Sequence, residues 1–228
     1  MGSAALGVDI GSGKSLAVAG ETLFYLSRAG VMAYTGGLPQ SAAEAFGTEQ
    51  YQNGVAGSDG IRYWISMENK NGDLSFFCFD TQNGVWTRED ETKALDFGWD
   101  RGVYMLRSDG TVLLLGDAME IPADATQEAQ VGSFVEFGDF TNEDPNRKGV
   151  SKFQLRVEVE QGATLELLVQ FDSDGVWNSV KTMQPDEKKS YYLAVVPRRC
   201  DHYRIKLVGT GMWRLYSMTR ESYSGSEL

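Results

Sequence analysis

The first half of the chain is a succession of short apolar runs, each closed within a few residues by a glycine-containing turn. Ser15-Leu-Ala-Val-Ala19 ends at Gly20-Glu21, Thr22-Leu-Phe-Tyr-Leu26 ends near Arg28-Ala-Gly30, and Val31-Met-Ala-Tyr34 follows. A second round opens on Val55-Ala-Gly57 and continues through residues 61–67, 74–79 and 85–87. Its turns are Ser58-Asp-Gly60, Asn69-Lys-Asn-Gly72 and Gln82-Asn-Gly84. A third round comprises residues 94–97, 103–106 and 111–115, with Ser108-Asp-Gly110 before the last. Asn-Gly and Asp-Gly tolerate the positive φ that primed hairpin turns require, so the pattern predicts antiparallel hairpins joined in series.

The rounds recur. Gly20, Gly57 and Arg101-Gly102 each close the first strand of a round, at intervals of roughly 40 residues, the spacing of β-propeller blades. A blade cannot bury its two faces alone and must stack on its neighbours. Three rounds are fewer than the roughly four to eight blades of a closed ring, so the expectation is a partial or small propeller, or one completed by another chain. One helix of about two turns is expected from Ser41 to Phe46, because Ser41-Ala-Ala-Glu44 has capping-box spacing and Gly47 closes it.

The pattern then changes. Residues 117–131, with Asp117, Glu120, Pro122, Asp124 and Glu128 among small residues, read as a linker. Beyond it Phe153, Leu155, Val157 and Val159 alternate with Gln154, Arg156 and Glu158, and Leu165, Leu167, Val169 and Phe171 repeat the period. With residues 134–137, 191–196, 203–207 and 213–218, and a turn at Asp174-Gly175 leading into Val176-Trp177, about seven strands are expected. That number fits an antiparallel β-sandwich, jelly-roll-like in size. The whole chain is therefore expected to be all-β: a flexible segment 1–14, propeller-like sheets over 15–116, the linker, and the sandwich over 132–228.

Composition narrows the chemistry. The single histidine, His202, forbids two-histidine metal sites, and two cysteines, Cys78 and Cys200, cannot form a zinc ribbon. No disulfide framework is indicated, as befits assembly in a reducing compartment. The net charge of −11 disfavours a general grip on nucleic acid, which needs a basic stripe. No apolar run approaches the roughly 20 residues of a membrane span, and the first residues lack the pattern of a signal peptide. Neither cofactor nor metal is expected, and no catalytic residue.

Four motifs carry possible chemistry. Val8-Asp-Ile-Gly-Ser-Gly-Lys-Ser15 resembles a phosphate-binding loop, but Val8 stands where its first glycine belongs, so a flexible leader is expected. Asp172-Ser-Asp174-Gly175 begins like a calcium loop, lacks the closing glutamate, and reads as a turn. Arg198-Arg-Cys-Asp-His202 is a compact basic cluster that could contact phosphate or pair Cys200 with His202 as a nucleophile. Without a second partner to orient the imidazole, salt bridging at a strand entrance is the expectation. Tyr63, Trp64, Trp86, Trp99, Trp177 and Trp213 could form a sugar-stacking platform, although core packing is the commoner fate of such residues.

Asp80-Thr-Gln-Asn-Gly-Val-Trp-Thr-Arg-Glu-Asp90, with Ser108-Asp-Gly110, resembles a blade of the propellers in bacteriophage tail nozzle and tail hub proteins. Leu23-Phe-Tyr-Leu-Ser27, Gly30-Val-Met-Ala-Tyr34 and Gly36-Gly-Leu-Pro39 are similar to the preceding blade. Residues 196–207 and Arg214-Leu-Tyr-Ser217 resemble the β-sandwich that follows the propeller in such virion proteins. The resemblance covers most of residues 15–228 and rests on packing and turn motifs. It implies a non-enzymatic structural component of a phage tail or head–tail connector, retaining DNA and joining other tail or portal proteins. It further implies a ring-like homo-oligomer, located in the virion and assembled in the host bacterial cytoplasm, with neither sequence-specific nucleic-acid binding nor a membrane partner. A conduit of net negative charge repels phosphate and lets DNA pass. The alternative is a carbohydrate-binding β protein with the aromatics as its platform. A glycosidase would need two carboxylates facing each other across a cleft, and nothing in the sequence marks such a pair.

Overall fold

Eleven strands fill the first part of the chain. They are β1 (Ala17–Ala19), β2 (Thr22–Ser27), β3 (Gly30–Tyr34), β4 (Gln40–Ser41), β5 (Tyr51–Ser58), β6 (Arg62–Asn69), β7 (Leu74–Asp80), β8 (Val85–Asp90), β9 (Ala94–Trp99), β10 (Val103–Arg107) and β11 (Val112–Leu115). The computed structural model describes residues 7–116, 130–141, 148–184, 186–195 and 198–224. The expected linker therefore falls outside the described residues except for 130 and 131, as does the middle of the polar loop after β12 (Gly132–Phe140). Two compact units divide at residue 125, Met1–Ala125 and Thr126–Leu228.

In the first unit every sheet is an antiparallel meander in chain order: β1-β2-β3-β4, β5-β6-β7-β8 and β9-β10-β11. The middle sheet is buried on both faces because its strands are apolar at consecutive positions. Tyr63, Ile65, Met67 and Phe77 meet Phe24, Leu26 and Val31 of the first sheet. Trp64, Phe76 and Cys78 point the other way, onto Ala94, Val103 and Met105 of the third. Among the described residues the stack does not close on itself, and the first and third sheets stand at its ends.

The first strands of successive sheets adjoin, β1 beside β5 and β5 beside β9. They are rich in small residues: Ala17 and Ala19, then Gly54, Ala56 and Gly57, then Ala94 and Gly98. The reason is distance. A Cβ on Gly57 would lie 2.6 Å from Phe97 Cβ, and one on Gly54 would lie 2.9 Å from Leu26 Cδ2.

Two local expectations are corrected. Ser41 belongs to β4 and pairs with Met32, so the expected helix shrinks to one 3₁₀ turn, Glu44–Phe46, with no side-chain cap. Its Phe46 packs against Tyr51, Phe77 and Trp86. The hairpins also turn differently from the primed form. In Asp59-Gly60, Asn71-Gly72, Asn83-Gly84 and Asp109-Gly110 the glycine alone has positive φ. An acidic or amide side chain instead folds back on the backbone. Asp59 Oδ1 accepts from the N–H of Ile61 and Arg62, and Asp109 Oδ1 accepts from Thr111. Loops of three or four residues are the commonest hairpin connections after two-residue turns, and Asp and Asn side chains that bond their own backbone stabilise them.

The second unit is a sandwich of two antiparallel sheets, β12-β17-β14-β15 and β16-β13-β18. The remaining strands are β13 (Lys148–Val159), β14 (Thr164–Phe171), β15 (Asn178–Met183), β16 (Asp186–Ala194), β17 (Tyr203–Thr210) and β18 (Trp213–Ser224). Only the β14–β15 connection stays within one sheet, so the chain winds around a single core. Phe153, Leu155, Val157 and Val159 of β13 bury against Leu165, Leu167, Val169 and Phe171 of β14 and Tyr203, Ile205 and Leu207 of β17. Each such side chain contributes about 1.5–3 kcal/mol when fully buried, and alternation selects which ones do.

Candidate functional site

The N-terminal motif is a structural junction. Ser12 and Ser15 are fully buried. Ser15 Oγ accepts the N–H of Leu26 on β2 at 2.9 Å, and Ser12 Oγ accepts the N–H of Gly54 on β5 at 3.0 Å. Tyr63 of β6 donates its hydroxyl to the Ser15 carbonyl at 2.8 Å, and burial pushes that phenol upward from its ordinary pKa. Lys14 reaches the third sheet, donating to Leu95 O at 3.0 Å and Asp96 Oδ2 at 2.8 Å. Its ammonium holds the Asp96 carboxyl below the ordinary carboxylate range. The segment expected to be a flexible leader is thus, from Val8 onward, tied to all three sheets. Its amides serve the turn itself, Ser12 N–H donating to Asp9 O and Ser15 N–H to Ser12 O. Residues 1–6 lie outside the described residues.

The basic cluster and the acidic turn come together at one end of the sandwich, but not as a nucleophile site. Cys200 is buried in the core, its thiol donating to Lys148 O at 3.3 Å, and desolvation pushes its pKa up to about 11. His202 Nε2 instead faces Ser173 Oγ at 2.8 Å. Asp172 accepts the N–H of Asp201 at 2.7 Å, and Asp174 meets Arg198 at 3.3 Å while accepting the N–H of Val176. Asp172 and Ser173 both have positive φ, 52° and 50°, so these carboxylates brace a tight turn. Among the described residues no group of three or more His, Cys, Asp or Glu side chains is placed to hold a metal.

The six aromatics do not form one platform. Tyr63 and Trp64 are core residues. Trp86 donates to Ala42 O at 2.7 Å and packs among Phe46, Phe77 and Phe79. Trp213 donates to Ser133 Oγ at 3.0 Å. Trp177 lies beside Lys206, whose ammonium also sits 4.3 Å above the Phe134 ring. Trp99 alone is largely exposed, at 61%.

A cleft opens on the surface of each unit. One of about 320 Å³ in the first unit is polar, lined by Asp9, Arg28, Gln50, Tyr51, Gln52 and Lys70. One of about 410 Å³ lies where β15 and β16 leave the sandwich open, with Val169, Phe171, Val180 and Val195 as walls and Arg198 at its rim. Arg198 stacks 5.2 Å from the Phe171 ring. Neither cleft brings two carboxylates face to face.

The outer side of the third sheet leaves a row of apolar side chains half-buried or exposed. Tyr104, Leu106, Val112 and Leu114 alternate with the core residues of β10 and β11 and so share the face turned from the middle sheet. Val112 is 58% exposed. At the other end of the stack Leu16, Val18 and Tyr34 are exposed on the outer side of the first sheet, beside the buried Tyr25 and Met32. The count of rounds in the sequence implies open ends but does not name these residues.

No family model matches the chain, and no curated protein matches it significantly. Among solved structures it is similar to an exo-beta-1,3-galactanase from Phanerochaete chrysosporium with galactose. The TM-score is 0.24 and the identity 10%, over 86% of this chain and 65% of that one. A variant of the same enzyme with beta-1,3-galactotriose gives 0.24 and 9%, again over 86% and 65%. The chain spans just under two thirds of the length of those enzymes, and likeness at this level carries no argument about activity. Among the described residues no helix is long and apolar enough to cross a membrane.

Proposed function

We propose that this chain is a non-enzymatic structural component of a bacteriophage tail or head–tail connector, of nozzle or hub type. In this reading it works as a ring-like homo-oligomer in contact with other tail or portal proteins, in a virion assembled in the host cytoplasm. The observation that carries the reading is the open stack. Three blade-like sheets end in the apolar face of Tyr104, Leu106, Val112 and Leu114, ahead of a separate sandwich. Soluble proteins cover such faces and edges. A second copy offers the cover most simply, since head-to-tail contacts that close give a ring. The blade and sandwich sequence resemblances supply the phage context, and the net charge of −11 suits a passage that must not hold DNA.

Electron microscopy of the purified full-length chain tests this. Rings with a central opening are expected. Uniform single particles of one chain would overturn the reading.

A further inference from the structure

The outer face of the sheet β16-β13-β18 carries side chains that the sandwich core does not use. On β13 the residues between the core positions face outward: Gln154, Arg156 and Glu158. Tyr192 of β16 stands directly opposite Gln154 and is 66% exposed, its hydroxyl accepting a hydrogen bond from Gln154 Nε2 at 3.2 Å. On β18 the register slips between Arg156 and Val157 and leaves Tyr216 as the extra residue. Tyr216 is 44% exposed and donates its hydroxyl to the Glu158 carboxylate, which Arg214 also approaches at 3.4 Å.

Two tyrosines on the two edge strands thus flank a central strand bearing an amide, a guanidinium and a carboxylate. Strand spacing and rise put the two rings roughly 10–15 Å apart, the reach of a short oligosaccharide. Each phenol is tethered through its oxygen, so the ring is held in place before any ligand arrives and little entropy is lost on binding.

We propose that this face binds a neutral oligosaccharide. The exposed faces of Tyr192 and Tyr216 stack on the C–H faces of two pyranose rings, supplying large apolar contact at low conformational cost. Gln154, Arg156 and Glu158 exchange hydrogen bonds with the hydroxyls between them. Arg214 meets both Glu158 and Glu160, and these two carboxylates balance Arg214 and Arg156, so recognition falls on hydroxyls rather than on a charged sugar. These residues differ from the tryptophans that size alone singles out, and sugar binding here is independent of whether the chain belongs to a phage tail.

Calorimetric titration of the full chain with cellohexaose, maltohexaose and hexagalacturonate tests it. At least one neutral hexasaccharide should bind saturably. Tyr192→Ala and Tyr216→Ala should each weaken that binding at least tenfold, Tyr216→Phe should retain it, and Phe134→Ala on the opposite sheet should leave it unchanged. If Tyr216→Ala loses its cooperative thermal transition, Tyr192→Ala decides alone. No binding of either neutral sugar at millimolar concentration, preference for hexagalacturonate, or binding that survives Tyr192→Ala would overturn the proposal. None of these outcomes bears on ring formation, which electron microscopy reads separately.

Discussion

At the scale of single residues, the junction built on Ser12, Lys14 and Ser15 separates what is buried from what is merely charged. Ser15 Oγ and the Leu26 N–H meet away from water, so neither can exchange its partner for solvent. Ser15→Ala leaves that N–H unsatisfied and is expected to cost about 1–3 kcal/mol of unfolding free energy. Lys14→Ala removes an ion pair whose side chains are both more than half exposed and should cost under about 1 kcal/mol. Urea denaturation of the two variants checks the order, which a phosphate-binding role for the lysine does not predict. The motif was visible in the sequence, but its role was not. The partners of Ser15 and Ser12 lie 11 and 42 positions away, on strands whose placement local spacing does not reveal. Cys78 is similar: nothing in its neighbourhood along the chain announces that burial between the second and third sheets pushes its thiol up to about 12.

At the scale of elements, close approach of the first strands is the feature most exposed to substitution. Gly57 has an ordinary β conformation, so its value lies in the missing Cβ and not in its backbone freedom. Gly57→Ala is expected to destabilise the chain by about 1–3 kcal/mol through overpacking against Phe97. Adding Phe97→Gly removes the Cβ and ring that the new methyl meets, so the double variant should lose less stability than the sum of the two single ones in a urea series. Such strands were legible because turn glycines and apolar runs alternate at a steady period. The helix expected at Ser41 was misread because a local capping signal is weaker than pairing with β3, which takes the capping serine into the sheet. β15 was read two residues too early, at Val176-Trp177, because residues 178–183 alternate Asn, Val and Thr with Ser, Lys and Met and show no clean apolar face.

For the whole molecule, the sandwich was the more legible half. Its core residues follow period two from Phe153 to Val159 of β13 and along β14 and β17, with Val150 set out of phase by the register shift that follows it, whereas polar-face aromatics such as Tyr192 and Tyr216 carry no mark that tells an open ring from a packed one. The first unit is legible as serial antiparallel hairpin sheets but not as an assembly, since the cover of the third sheet's outer side is not written in the strands that form it. Ring assembly stands or falls on that side. Sedimentation velocity of the full-length chain over a micromolar concentration series, run beside Val112→Asp, tests it most directly. Val112 is well exposed, so the substitution should spare the fold while placing a charge in the contact. A discrete oligomer is expected for the native chain, with a shift toward monomer for Val112→Asp; a native chain that sediments as a stable monomer throughout the series would contradict ring assembly.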